Sequence, residues 1–313
     1  MLRKASIRRA YGQALAEYGA ENPDVAVVVA DVSSSVQTGF FAERFPDRFF
    51  NVGITEQAMV DFAVGLALGG MIPFANTFAV LFLRAAEQIR TCVAYAKTNV
   101  KLVGAYSGLS NFKDGPTHHA ECDIAVMRAM PNINVVEVAD AVEARKMVPV
   151  IAEHEGPVYL RISRTEAPIL YDENYEAEIG KGTVLRDGGD VALIACGIMV
   201  SRCLEAAERL SKEKISAYVV NMSTIKPLDS DLIWKLARET GAIVTAEDHS
   251  IIGGLGGAVA EALGEKNPAV LERIGVRDTF TETALSYEEL LDHYGMSIDD
   301  IVKAARNAVK RKR

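Results

Sequence analysis

Val25-Ala-Val-Val-Val-Ala30 is an unbroken apolar run. It lacks the polar alternation of a strand with one wet face, so it reads as a strand buried on both faces of a sheet. It is far too short to span a bilayer, and no longer apolar stretch stands out. Upstream, Ile7, Tyr11, Ala14, Leu15 and Tyr18 recur at helical spacing until Gly19 and Pro23 stop the pattern. Downstream, short β-rich runs at 72–75, 100–105, 133–138 and 158–162 alternate with helical stretches at 55–68, 79–96 and 141–153. Such alternation predicts a largely parallel sheet with helices on both faces.

After Arg164 the register changes. Residues 165–189 carry Pro168, Gly180, Gly182, Gly188, Gly189 and a cluster of acids, as a linker would, with one edge strand at 182–185. A second series follows, with strands at 191–195, 217–220, 242–246 and 270–274 and helices at 200–213, 229–240, 257–263 and 298–309. The expectation is an α/β protein of two open sheet domains. The first occupies 1–165, the linker 166–189, and the second and smaller domain 190–313. A length of 313 residues suits two such cores.

Hydrophobic residues make up 49% and charged residues 24%, too apolar for a disordered chain. The net charge of −8 leaves no basic field for nucleic acid, and Lys310-Arg-Lys-Arg313 reads as a solvated tail. Met1-Leu-Arg-Lys4 leads into no signal-like apolar stretch, so a cytoplasmic chain without membrane contact is expected. Cys92, Cys122, Cys196 and Cys203 lack CxxC spacing and read as buried free thiols.

Gly253-Gly-Leu-Gly-Gly257 precedes a helix and invites a phosphate-cradle reading. Val259 stands where the dinucleotide fingerprint needs glycine, so a tight turn with close helix packing is the competing account. The five histidines have no partners at metal-ligand spacing. Two segments differ from their surroundings. Asn51-Val-Gly-Ile-Thr-Glu-Gln-Ala-Met59 places Glu56 at the start of an otherwise apolar helix, either as a helix-end acid or as a functional one. Lys113-Asp-Gly-Pro-Thr-His-His119 is a polar loop after a buried strand, where α/β folds place ligands.

Taken in order, Asp31 with Ser33–Ser35, Gly53-Ile-Thr-Glu-Gln57, Pro73-Phe-Ala-Asn-Thr-Phe78, Asp114-Gly-Pro-Thr-His118 and Ser163-Arg164 resemble the pyrimidine-binding domain of transketolases. Ile225-Lys-Pro-Leu-Asp229 and Glu247-Asp-His249 before Ile252-Gly-Gly-Leu-Gly256 resemble their C-terminal domain. The Gly-Asp-Gly motif that marks the diphosphate-binding domain is missing from the sequence. The chain therefore resembles the C-terminal subunit of a split transketolase. This implies a thiamine diphosphate site shared with an N-terminal subunit that carries Gly-Asp-Gly and binds Mg2+ or Ca2+, no metal being held here. It also implies a heterotetramer of two small and two large subunits, transferring a two-carbon ketol unit from a ketose phosphate to an aldose.

By the same resemblance Glu56 matches the acid that hydrogen-bonds a ring nitrogen of the cofactor pyrimidine, and Phe78 an aromatic on its face. The next two family aromatics fall on Leu81 and Arg84, with Phe82 the candidate to fill the gap. Asp114 and His118 match contacts to sugar hydroxyls or the carbonyl oxygen, His118 being counted with Glu56 as catalytic. Arg8, Ser35 and Arg164 match the grip on a substrate phosphate, and Asp31 a residue at the mouth. Tyr106 stands where a histidine is usual and Lys113 where an acid is usual, which opens the identity of the sugar. The competing readings are the β subunit of a 2-oxoacid dehydrogenase E1 component and a catalytically silent assembly subunit. The Asp-Gly-Pro-Thr-His loop speaks against the first and an intact Glu56 against the second.

Overall fold

In a computed structural model the chain is described over residues 3–312. Its strands are Lys4–Ser6 (β1), Val25–Val29 (β2), Phe49–Asn51 (β3), Ile72–Phe78 (β4), Lys101–Ala105 (β5), Asn134–Glu137 (β6) and Val158–Ile162 (β7). Then follow Glu166–Pro168 (β8), Thr183–Arg186 (β9), Val191–Ala195 (β10), Ala217–Asn221 (β11), Thr224–Lys226 (β12), Ala242–Ser250 (β13) and Val270–Val276 (β14). One sheet has the order β12-β6-β7-β5-β4-β2-β3 and is parallel except at β12; a second has the order β14-β13-β10-β11-β9 and is parallel except at β9. Every residue of β2, β5, β7 and β10 is buried, Lys101 of β5 and Arg161 of β7 included, as strands with helices on both faces require.

From β2 the chain runs outward to β3 and then returns to β4 on the other side of β2. The crevice at such a reversal, beyond the carboxyl ends of the strands, is where open α/β sheets bind ligands. The two halves are tied where β12 leaves the second half to pair antiparallel with β6, and β8 folds back on β1 as a separate two-stranded sheet. The fully buried Arg161 donates to Glu137 Oε1 (2.6 Å), to both oxygens of Asp123 (2.9 and 3.1 Å) and to the backbone carbonyl of Asp248 (3.0 Å). A buried guanidinium is tolerable only with such full pairing.

The segment 79–96 is not one α-helix. It winds as a 3-10 helix over Ala79–Ala85, one turn at Ala86–Gln88 and a π-helix over Ile89–Tyr95. Its buried residues explain this: Ala79, Phe82 and Ala85 recur every three residues, Ile89 and Val93 four apart. A three-residue spacing is the 3-10 period, and the wider spacing after it accompanies the π turn. The thiols also depart from expectation: Cys196 and Cys203 are buried, but Cys92 is half-buried and Cys122 exposed. Among the described residues no helix is long and apolar enough to cross a membrane.

Candidate active site

The site residues follow strand ends. Asp31 comes just after β2, Glu56 after β3, Phe78 ends β4, Tyr106 follows β5, and Arg164 follows β7. Arg8 approaches from the first turn of the Ile7–Glu21 helix. All therefore gather at the carboxyl edge of the larger sheet. Asp31 and Tyr106 have φ of 59° and 60°, a left-handed conformation costly for residues with side chains. Both lie where a strand must turn sharply into this edge.

Glu56 opens the Glu56–Leu68 helix and is 4% exposed. Thr55, which precedes it, makes no side-chain capping bond and donates to the carbonyl of Val52 (3.0 Å). Arg84 Nε lies 3.3 Å from Glu56 Oε2, although Arg84 itself is mostly exposed. Ile54, Gln57, Ala58, Asp61 and Gln88 complete a cleft of ≈ 680 Å³ around this pair. Arg84 thus stands beside the carboxylate at a position where the resemblance implies an aromatic.

A second cluster centres on Tyr106. Its ring stacks on Phe78 with centroids 4.2 Å apart, and His118 meets Phe78 edge-on at 6.4 Å. The guanidiniums of Arg8 and Arg164 lie 4.8 and 5.1 Å from the Tyr106 centroid. Arg8 also donates to the Tyr106 hydroxyl (3.1 Å), to the Arg164 carbonyl (3.2 Å) and to the Ser35 carbonyl. Ser35 therefore contributes its backbone to Arg8. Burial and the neighbouring Arg164 lower the pKa of Arg8, with Tyr106 acting in the opposite direction. Among the described residues neither arginine is paired with a carboxylate. Two converging cations without an acid form an anion-binding arrangement, since a guanidinium fork suits phosphate or sulfonate oxygens.

Asp31 is exposed and is held by Asn51, whose amide donates to Asp31 Oδ1 (3.0 Å) and whose oxygen accepts from the Asp31 backbone (3.1 Å). Asp114 is exposed and caps a turn through its backbone bond to Asn111 (3.0 Å). His118 Nδ1 sits 3.0 Å from the Thr117 hydroxyl. Lys113 points its ammonium over the Phe112 ring at 5.8 Å and joins no cluster. Phe82 requires correction. It is wholly buried, edge-on to Tyr159 at 5.8 Å, so it packs the core and offers no face to a ligand. Its place on the inward three-residue repeat fixes that direction.

The glycine loop before the Leu255–Glu265 helix takes no phosphate. Glu247 already accepts from the amides of Leu255 (2.6 Å) and Gly256 (2.8 Å). A Cβ on Gly254 would lie 1.9 Å from Glu247 Oε2, so close approach explains the glycine. The second half of the chain instead supports the 107–119 loop of the first sheet. Asp248 accepts the amide of Leu109 (3.0 and 3.1 Å), and Thr281 Oγ1 meets His119 Nδ1 (2.7 Å). The Ala284 amide donates to the Phe112 carbonyl (3.0 Å). Asn111, whose spacing drew no attention in the sequence, is fully buried in this loop and accepts from Arg164 Nη1 (2.7 Å).

A buried carboxylate in one cleft and a half-buried aromatic ring nearby on the same sheet edge suit a nitrogen heterocycle, one for a ring nitrogen and the other for a ring face. No group of three or more His, Cys, Asp or Glu is placed to hold a metal among the described residues.

Comparison with known proteins identifies the family of the chain. The family model described as "Transketolase, pyrimidine binding domain" matches residues 3–169, and "Transketolase, C-terminal domain" matches 180–301. The chain is 44% identical to a putative transketolase C-terminal section of Methanocaldococcus jannaschii, covering 97% of this chain and 96% of that protein. It is 40% identical to a 6-deoxy-6-sulfo-D-fructose transketolase subunit of Clostridium sp. (strain MSTE9), covering 98% and 95%. Among solved structures it superposes on a split-gene transketolase described as an inactive β4 tetramer, with a TM-score of 0.92, 46% identity, and coverage of 98% and 99%.

Proposed function

The chain belongs to the transketolase family, and from that premise we propose that it is the pyrimidine-domain subunit of a split, thiamine diphosphate-dependent transketolase. Residues 1–165 form the pyrimidine-binding domain, 166–189 the linker and 190–313 the C-terminal domain. The observation that carries the proposal is Glu56, an acid buried at a helix start beside a cleft at the carboxyl edge of the sheet. A purely structural subunit has no need of a buried acid there, since leaving one in place costs desolvation.

Bound in this edge, thiamine diphosphate would supply the nucleophilic carbon for ketol transfer. Glu56 holds or exchanges a proton at a nitrogen of the pyrimidine, once Arg84 yields its place. Phe78, stiffened from behind by Tyr106, packs on the ring. His118 and Asp114 orient sugar oxygens, and Arg8 and Arg164 grip the anionic end of the ketose. A relative named for a sulfonated ketose favours an anionic ketose as the substrate class without fixing which one. The partner is an N-terminal subunit with Gly-Asp-Gly and the Mg2+ or Ca2+ site, joined in a heterotetramer that works in the cytoplasm.

Calorimetry of the isolated chain with thiamine diphosphate and magnesium is expected to show no tight binding. The reconstituted pair should bind the cofactor and transfer ketol units between sugar phosphates. Tight binding by this chain alone, or a pair that decarboxylates 2-oxo acids in place of ketol transfer, would overturn the proposal.

A further inference from the structure

Glu56 and Arg84 line one cleft, but they meet water very differently. The Glu56 side chain is 4% exposed and that of Arg84 is 70% exposed. Arg84 reaches the carboxylate through Nε, 3.3 Å from Oε2, and Glu56 pairs with no other cation among the described residues. A buried carboxylate without a partner is costly, so this contact offsets its desolvation in the isolated chain. The contact is also loose. It does not use the two-nitrogen fork with which arginine holds a carboxylate most firmly. The winding of the segment fixes the geometry: Ala79, Phe82 and Ala85 take the inward side of the 3-10 turns, which leaves Arg84 on the outward side. Both partners face the same space of ≈ 680 Å³, so a molecule that enters it and bonds to Glu56 Oε2 must contend with the guanidinium.

We infer that Arg84 is an affinity-determining residue of the Glu56 cleft: it holds the acid's Oε2 in the isolated chain and is displaced when a nitrogen heterocycle takes that oxygen. The inference rests on the proposed reading of this cleft as the seat of the cofactor pyrimidine. An aromatic at position 84 could only pack there, whereas arginine competes for the same carboxylate. Breaking the ion pair is subtracted from the binding of any ligand that needs Glu56. Because the guanidinium is already largely hydrated, its release is easy, and the acid is shielded without being blocked. An uncharged side chain at 84 removes the competitor and leaves the buried acid unpaired. Stability of the chain and affinity for the cofactor should then move in opposite directions.

The probe is thiamine diphosphate with magnesium, titrated by calorimetry into the reconstituted pair. Arg84→Met keeps an unbranched side chain without the charge. It is expected to tighten the Kd by about 5-fold, the upper range for an ion pair with one exposed partner. The Tm of the isolated chain should fall at the same time. In a Glu56→Gln background Arg84→Met should leave the Kd unchanged, because the competition needs the carboxylate. A residue that only packs would lower Tm without tightening the cofactor, and one that grips the cofactor would weaken it when removed. The inference is overturned if Arg84→Met leaves the Kd unchanged or weakens it, if the tightening persists in the Glu56→Gln background, or if the wild-type pair does not bind thiamine diphosphate. Arg84→Gln makes the same comparison, with the same outcomes, if Arg84→Met does not fold. Failure of the transketolase reading shows separately, as thiamine diphosphate binding by the pair with no ketol transfer.

Discussion

At the scale of single residues, burial separates function from packing where residue type does not. Phe78 and Phe82 lie four positions apart on one segment, yet one stacks on Tyr106 at the sheet edge and the other is sealed against Tyr159. Glu56 is the residue whose replacement is most informative. Glu56→Gln keeps the shape and removes the carboxylate from its cleft, so the fold and the assembly should persist. General acid–base contributions run at about 10²- to 10⁴-fold, and steady-state kcat of the reconstituted pair should fall by that much with an unchanged elution volume. A variant with near wild-type kcat would reduce Glu56 to a helix-end acid.

At the scale of elements, the loop between β5 and the Asp123–Ala129 helix carries the proposed substrate residues but owes its shape to the second half of the chain. Gly108 has φ of 54°, and a Cβ there would meet Asp248 Oδ2 at 2.0 Å, so the loop is pressed onto Asp248. Asp248 also accepts from the Tyr287 hydroxyl. Asp248→Ala strands the Leu109 amide and that hydroxyl in the interior. Each orphaned group costs about 1–3 kcal/mol, so chemical denaturation should show a loss of about 2–6 kcal/mol. Hydrogen exchange should rise at residues 107–119 more than in the strands. Uniform exchange across the protein would show that the second sheet does not hold the loop.

At the scale of the whole molecule, the joint between the sheets is a buried cluster of ionisable groups whose balance depends on pH. Burial raises Glu247 to about 7 and Asp248 to about 6, while it lowers His249 to about 4. For Glu247 the folded state holds its proton more tightly than the unfolded one, whose value is near 4.5. Its contribution is fully present below that value and is lost as pH rises through about 7. His249 acts in the opposite sense: its contribution is present above about 6.5 and is lost as pH falls through about 4. The two oppose each other in acid, and buried Lys101, lowered to about 7, adds stability as pH rises above that value. The Glu247 contribution is therefore read as a difference: Tm of the wild type minus Tm of Glu247→Gln is expected to decline as pH rises from about 4.5 to about 7. A difference that stays flat or grows over that window would contradict this account of the joint. Assembly belongs to this scale too. Ile54, Phe62 and Leu68 leave apolar side chains exposed on or just before the Glu56–Leu68 helix, a face of the kind that partner subunits cover. Mass measurement of the co-expressed pair should give two small and two large subunits, and an active one-to-one complex would contradict it.

The sequence by itself determined the alternation of strands and helices, because apolar runs and helical periods are local properties. β7, β10 and the Ala141–Glu153 helix fall where those patterns place them. It also determined the family, through Glu56, Phe78 and the Asp114–His118 loop in their order. Tertiary structure alone decided the rest. The three-residue strands β1, β3, β8 and β12 have no period long enough to read, and each exists only because a distant partner pairs with it. The 3-10 and π winding of 79–96 was decided by which side chains the core could accept. Arg84 against Glu56, Asn111 against Arg164 and Asp248 against Leu109 join residues 28, 53 and 139 positions apart. No spacing rule reaches across such separations, since the chain's folding, and not its local pattern, brings these groups within hydrogen-bonding range.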